Sequence, residues 1–129
     1  MATYTNNEIM LKHQVGNCGG IRKSVKTQTF VLIINPNVHK YSDVKNNDFE
    51  IMYDGQFTRG ERDQIMKRMN KALNETRWTL HVYEGTLNNY RYIGEYERSG
   101  TYSTVYDTNG RRMFSFPIRR KFQFDSFEY

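Results

Sequence analysis

The sequence is poor in cysteine and proline, with a single Cys at position 18 and two Pro in 129 residues. One thiol excludes an internal disulfide and a cysteine-built zinc site, and it fits a reducing compartment. No apolar run approaches the roughly 20 residues a helix needs to cross a bilayer. The opening MATYTNNEIM has neither the basic start nor the apolar middle of a secretory signal. These absences lead to the expectation of an intracellular protein with no membrane partner. Catalytic signatures are missing as well. The three histidines, His13, His39 and His81, are scattered, and His81 falls in an alternating segment as a packed or surface side chain. No His-x-Glu with Cys-x-x-Cys, no HExxH, no GxxxxGK[ST] and no GxGxxG is present. The acids are dispersed without a nuclease spacing. The expectation is a chain with no catalytic residues, no metal and no cofactor.

Aromatics, by contrast, are abundant: 10 Tyr, 8 Phe and 1 Trp make up 15% of the chain, which argues against disorder. The length suits one domain with a sizeable core. Nineteen Lys+Arg against 14 Asp+Glu leave a net charge of +5. That balance favours an anionic partner, although moderately basic domains are also often simply soluble.

Taken in order, residues 1–17 are polar with few aliphatic anchors, and read as an N-terminal arm or short strand. Gly16-Asn17-Cys18-Gly19-Gly20-Ile21-Arg22-Lys23-Ser24 follows, with Lys26 close behind. Paired glycines allow close backbone approach, so this segment reads either as a phosphate-facing loop or as a turn with solvated charges. Thr29–Ile34 (TFVLII) is a continuous apolar run, expected to be a strand buried on both faces and ended by Asn35-Pro36. A polar loop carrying Tyr41 and Asp43 leads to a strand at Phe49–Tyr53 and an Asp54-Gly55 turn. Ile65, Met66, Met69, Ala72 and Leu73 share one face at a period near 3.6. They predict a helix entered just after Gly60, with Glu61 and Asp63 in its first turn. Strands are then expected at Thr79–Glu84, Tyr90–Glu97, Thr101–Asp107 and Met113–Ile118, with an Asn109-Gly110 hairpin turn. Arg119, Arg120 and Lys121 follow the last of them, and the ending FQFDSFEY reads as an edge strand or a stub. One main helix among six or seven strands predicts an α+β domain, a curved, mostly antiparallel β-barrel with that helix packed against it.

The order Gly19-Gly20-Ile21, TFVLII, Tyr41-x-Asp43, Tyr53-x-Gly55, Asp63-Gln64-x5-Asn70-Lys71-Ala72-Leu73, then HVYE, NYRYIGEY and FPIRR resembles the SRA (SET- and RING-associated, or YDG) domain. The version it resembles most is the N-terminal domain of bacterial modification-dependent HNH endonucleases. The resemblance runs from Gly19 to Lys121. It implies a PUA-like fold over 18–129. It also implies binding of duplex DNA in which a modified cytosine, 5-methyl or 5-hydroxymethyl, is flipped into a pocket. By position, Tyr41 and Tyr53 match the two aromatics that sandwich the base. Asp43 lies near the acid that reads its Watson–Crick edge, and Asp54 and Gly55 form the adjoining turn. Gly20, Arg22, Lys23, Ser24, Lys26, Arg119 and Arg120 are the expected backbone contacts. The resemblance implies a recognition module of a modification-dependent restriction system, with an HNH nuclease domain or subunit as partner. The chain departs from the animal form in its short segment between Gly55 and Asp63, so groove contacts do not carry over in detail. An RNA-binding PUA-like module that flips no base, and a nuclease subunit or protein-interaction domain with merely solvated charges, are the competing expectations.

Overall fold

The computed structural model describes residues 2–35 and 49–121. Among them lie two helices, α1 (Asn6–His13) and α2 (Arg68–Glu75). The strands are β1 (Ile21–Ser24), β2 (Thr29–Ile34), β3 (Glu50–Asp54), β4 (Thr79–Thr86), β5 (Asn89–Arg98), β6 (Ser103–Tyr106) and β7 (Arg112–Arg120). They form one curled sheet in the order β1-β2-β4-β5-β7-β3, with β6 also paired to β7. Every pairing is antiparallel except β2 with β4. The β4–β5 register shifts at Val82/Tyr83, a bulge of the kind that bends a sheet.

The run TFVLII is buried on both faces, as a continuous apolar strand should be. Phe30, Leu32 and Ile34 join Ile51, Tyr53, Phe114 and Phe116 in the core that α2 covers with Leu73. Val31 and Ile33 point the other way, into a second cluster with Ile9 of α1, Tyr83 and Tyr90. Arg98 of β5 holds the end of α2, donating from one guanidinium nitrogen to the Leu73 carbonyl at 2.8 Å.

Three expectations need correction. Residues 6–13 are neither arm nor strand but a capped helix: Thr5 accepts from Glu8 N–H at 3.2 Å, and Glu8 accepts from Thr5 N–H at 2.9 Å. The glycine-rich segment does not stay a loop, because Ile21–Ser24 pairs with β2. The main helix starts at Arg68, well past Gly60. The intervening residues are drawn to β7 instead. Asp63 Oδ1 accepts from Arg112 N–H at 2.8 Å, and Gln64 N–H donates to the Arg112 carbonyl at 2.9 Å.

Candidate nucleic-acid interface

The turn after β3 is fixed by side chains from the α2 region. Gly55 N–H donates to the Phe114 carbonyl at 2.9 Å, and its own carbonyl accepts from Gln64 Nε2 at 2.8 Å. Gln64 Oε1 meanwhile accepts from Phe114 N–H at 2.7 Å, so one buried amide ties the turn to β7. Asn70 treats the next residue in the same way. Its Oδ1 accepts from Gln56 N–H at 2.7 Å, and its Nδ2 donates to the carbonyls of Gln56 at 2.8 Å and Ile65 at 2.9 Å. A Cβ at position 55 would lie 2.6 Å from Gln64 Oε1 and 2.9 Å from Asn70 Oδ1, so only glycine fits. The spacing from Tyr53-x-Gly55 to Asp63-Gln64-x5-Asn70 is therefore one hydrogen-bonded unit.

This unit supports a cavity of about 510 Å³. One wall is Tyr53, Asp54 and Gly55 with the Gly19-Gly20 segment; the other is Phe57, Asp107, Arg111 and Met113. Tyr53 is 1% exposed, and its hydroxyl donates toward the carbonyls of Gly20 at 2.9 Å and Ile33 at 3.0 Å. A Cβ on residue 20 would sit 3.1 Å from that hydroxyl, a close approach that glycine relieves. With its amide oriented by its partners, Gln56 accepts from Ile21 N–H at 2.8 Å and Gly20 N–H at 3.1 Å. The backbone on both sides of the cavity is thus cross-braced.

On the opposite wall, the Arg111 guanidinium lies over the Phe57 ring at 4.2 Å from its centroid, and its Nε donates to Asp107 Oδ2 at 2.7 Å. Asp107 Oδ1 accepts from the N–H groups of Asn109 at 2.9 Å and Arg111 at 2.8 Å. Desolvation opposes its ionisation, but these hydrogen bonds from Arg111 and Asn109 together outweigh it and hold the carboxyl below the usual range. The Phe57–Arg111–Asp107 group was not foreseen from the sequence. The hairpin signal Asn109-Gly110 was legible, but not its distant neighbour Phe57.

Of the expected base-pocket residues, the structure brings Tyr53, Asp54 and Gly55 together at the cavity. Tyr41 and Asp43 lie outside the described residues. Gly20 lines the cavity too. Two expected backbone contacts are turned inward in this structure. Arg22 is 4% exposed and donates to the Gly19 carbonyl at 2.9 Å and Asn6 Oδ1 at 2.7 Å; burial lowers its pKa from the ordinary arginine value. Ser24 is also buried, and accepts from Thr27 N–H at 3.2 Å to close the β1–β2 turn. Lys23 and Lys26 are exposed on that hairpin. Arg119 and Arg120 are exposed as well; Arg119 meets Glu97 at 2.8 Å, and Arg120 reaches the Ile93 carbonyl and lies over Tyr96. None of these four lines the cavity. Among the described residues no group of three or more His, Cys, Asp or Glu is placed to hold a metal, and no helix is long and apolar enough to cross a membrane.

No family model and no curated protein matches the sequence. Solved structures do. A complex of the SUVH5 SRA domain with hemimethylated CG DNA superposes with a TM-score of 0.72 at 22% identity, covering 94% of this chain and 86% of that one. The SUVH5 SRA domain bound to fully hydroxymethylated CG DNA gives 0.71 at 22% identity, covering 94% and 87%. KRYPTONITE in complex with mCHG DNA and SAH gives 0.72 at 17% identity over 93% of this chain, which spans 31% of that longer one. The expected α+β architecture is therefore borne out: a curled, mostly antiparallel sheet with its flanking helices, in the SRA fold.

Proposed function

We propose that this chain binds duplex DNA containing 5-methyl- or 5-hydroxymethylcytosine and takes that base, flipped from the stack, into the cavity beside Tyr53. The observation that carries the reading is the cavity itself. It is held open by backbone cross-bracing and lies at the Tyr53-Asp54-Gly55 turn. Its volume of about 510 Å³ is in the range of ligand sites. The neighbours in methylated and hydroxymethylated DNA complexes support the choice of ligand.

Extrusion of a base costs a few kcal/mol. Stacking on an aromatic returns about 1–3 kcal/mol per base, a return we assign to Tyr41, while Tyr53, 1% exposed, acts as a fixed part of the cavity wall. A carboxylate, Asp43, accepts from the cytosine amino group; the N–H groups of Gly55 and Gln56 are committed to Phe114 and Asn70 and hold the turn in shape. Lys23, Lys26, Arg119 and Arg120 hold phosphates, while Arg22 and Ser24 act by shaping the segment that carries Gly20. The cleavage function of a modification-dependent restriction system would reside in a separate HNH domain or subunit, a role supported by the motif order alone. The test is competition binding among a duplex with one 5-methylcytosine, the same duplex unmodified, and a structured RNA. The modified duplex should win over the plain one by about fourfold to a hundredfold, the range for one buried methyl group. Equal binding of both duplexes, or RNA as the best competitor, overturns the reading.

A further inference from the structure

A second cavity, of about 600 Å³, adjoins the first and shares Gln56 and Phe57 with it. Its remaining lining includes Arg59, Lys67 and Arg68, and no acid. Among the described residues none of these three cations meets a carboxylate. The cavity beyond the other end of α2 differs, for it sets Glu75 and Glu97 among Arg77, Arg98 and Arg119. Three uncompensated cations around one concavity repel each other and focus a positive potential, a cost that an anion removes. The wall between the two cavities is rigid. Gln56 has both backbone polar groups bonded to Asn70, and Phe57 is stacked on Arg111.

We propose that this second cavity takes a DNA phosphate flanking the modified nucleotide, so that base and phosphodiester lie on opposite sides of the Gln56–Phe57 wall. The inference rests on the base-flipping reading for the identity of the nucleotide. Its physical logic is separation of roles: the first cavity reads the base, and the second fixes the backbone at the point from which the base swings. Phosphate contacts position a protein on DNA without reading sequence. Arg59, Lys67 and Arg68 are thereby assigned to affinity and register, and not to the preference for modification.

The experiment compares the wild type with Arg59→Gln/Lys67→Gln, two exposed positions whose neutralisation leaves the core intact. A melting curve checks the fold. Affinity for the modified and the plain duplex is measured across a salt series. The double variant should weaken on both duplexes alike and lose about 0.9 unit of salt slope, the value for one phosphate, with the modified-to-plain ratio unchanged. A second arm replaces the phosphate next to the modified cytosine by a neutral methylphosphonate, on the 5′ or the 3′ side. One of these duplexes should bind the wild type more weakly and the double variant no more weakly than the parent duplex. An unchanged salt slope overturns the proposal, as does a methylphosphonate penalty of the same size in both proteins. If inorganic phosphate stabilises the wild type but not the double variant while the DNA salt slope stays the same, the cavity takes a small free anion and the proposal also fails. Absence of any preference for the modified duplex in the wild type sinks the base-flipping reading instead, and the salt slope still reports separately on the phosphate contacts.

Discussion

Asn70 satisfies three backbone groups at once, two of them on Gln56 and one on Ile65. It is 2% exposed, so water does not replace what a shorter side chain gives up. Each buried polar group left without a partner costs about 1–3 kcal/mol. Asn70→Ala is therefore expected to lose on the order of 2–5 kcal/mol of unfolding free energy, and to lose its preference for modified DNA while still folded at low temperature. Gly55→Ala is expected to act the same way by the opposite route, adding an atom where Gln64 Oε1 is already anchored to Phe114 N–H. Urea unfolding followed by competition binding checks both. A variant within about 0.5 kcal/mol of the wild type, the range of an ordinary surface substitution, would show that the clamp is dispensable. Part of this was legible in the sequence: the residues Gly55, Gln64 and Asn70 and their spacing stood out. Their purpose was not, since it depends on β7 arriving from 50 residues away to offer Phe114.

The element that the sequence hid best is α1. Its capping residues Thr5 and Glu8 were in plain view, but only Ile9 and His13 are buried, so no apolar periodicity marks the helix. The opposite error shaped α2, where Ile65 and Met66 continue the helical period although Asp63 and Gln64 are committed to β7. Periodicity reports which residues are covered, not which backbone covers them. The docking of α1 should respond to pH. His13 Nε2 lies 2.8 Å from the Tyr83 hydroxyl of β4, and its ring stacks 4.4 Å from that of His81, also on β4. His81 Nδ1 is 3.0 Å from the Tyr92 hydroxyl of β5, with Glu95, Lys12 and Lys121 as the surrounding charges. Burial, then the neighbouring His81 and Lys12, lowers His13 to about 4 from 6.5, and burial lowers His81 as well. A histidine depressed in the folded state binds its proton more readily in the unfolded chain. Its contribution is whole above pH 6.5 and is lost as pH falls toward 4. For His13 alone the full loss is on the order of 3 kcal/mol, from about 1.4 kcal/mol per pKa unit. Urea midpoints at pH 7.5, 6 and 5 should fall steadily, and His13→Gln should flatten the trend. A flat wild-type profile over this window would mean that neither histidine is buried neutral in solution.

At the scale of the whole molecule, charge and cavity govern different observables. On the proposed reading, the net charge of +5 would act on phosphates at a distance and be screened by salt, whereas a methyl group in the cavity would be felt only by contact. The strands that build the cavity were legible because runs such as TFVLII and the Asn109-Gly110 turn are local signals. The assembly of one wall from the Gly19-Gly20 segment and β3, and of the other from Phe57 and the β6–β7 hairpin, was not, because strand order is a long-range choice. That construction predicts a separation. Between about 50 mM and 200 mM salt, affinity for modified and plain duplexes should fall together, by orders of magnitude if six or more phosphates are contacted. Their ratio should stay within about twofold, since burying one methyl group contributes about 0.8 kcal/mol, or up to 1–3 kcal/mol with good packing, and neither figure depends on ions. Thymine at the same site, mispaired in the same way as the cytosines, should be rejected more strongly than plain cytosine. A carboxylate facing the thymine carbonyl leaves two desolvated acceptors without a proton between them, and this penalty too is independent of salt. Fluorescence anisotropy over the salt series with 5-methylcytosine, cytosine and thymine duplexes measures all three terms. If the modified-to-plain ratio collapses as salt rises, the preference comes from the phosphate surface and not from the cavity beside Tyr53.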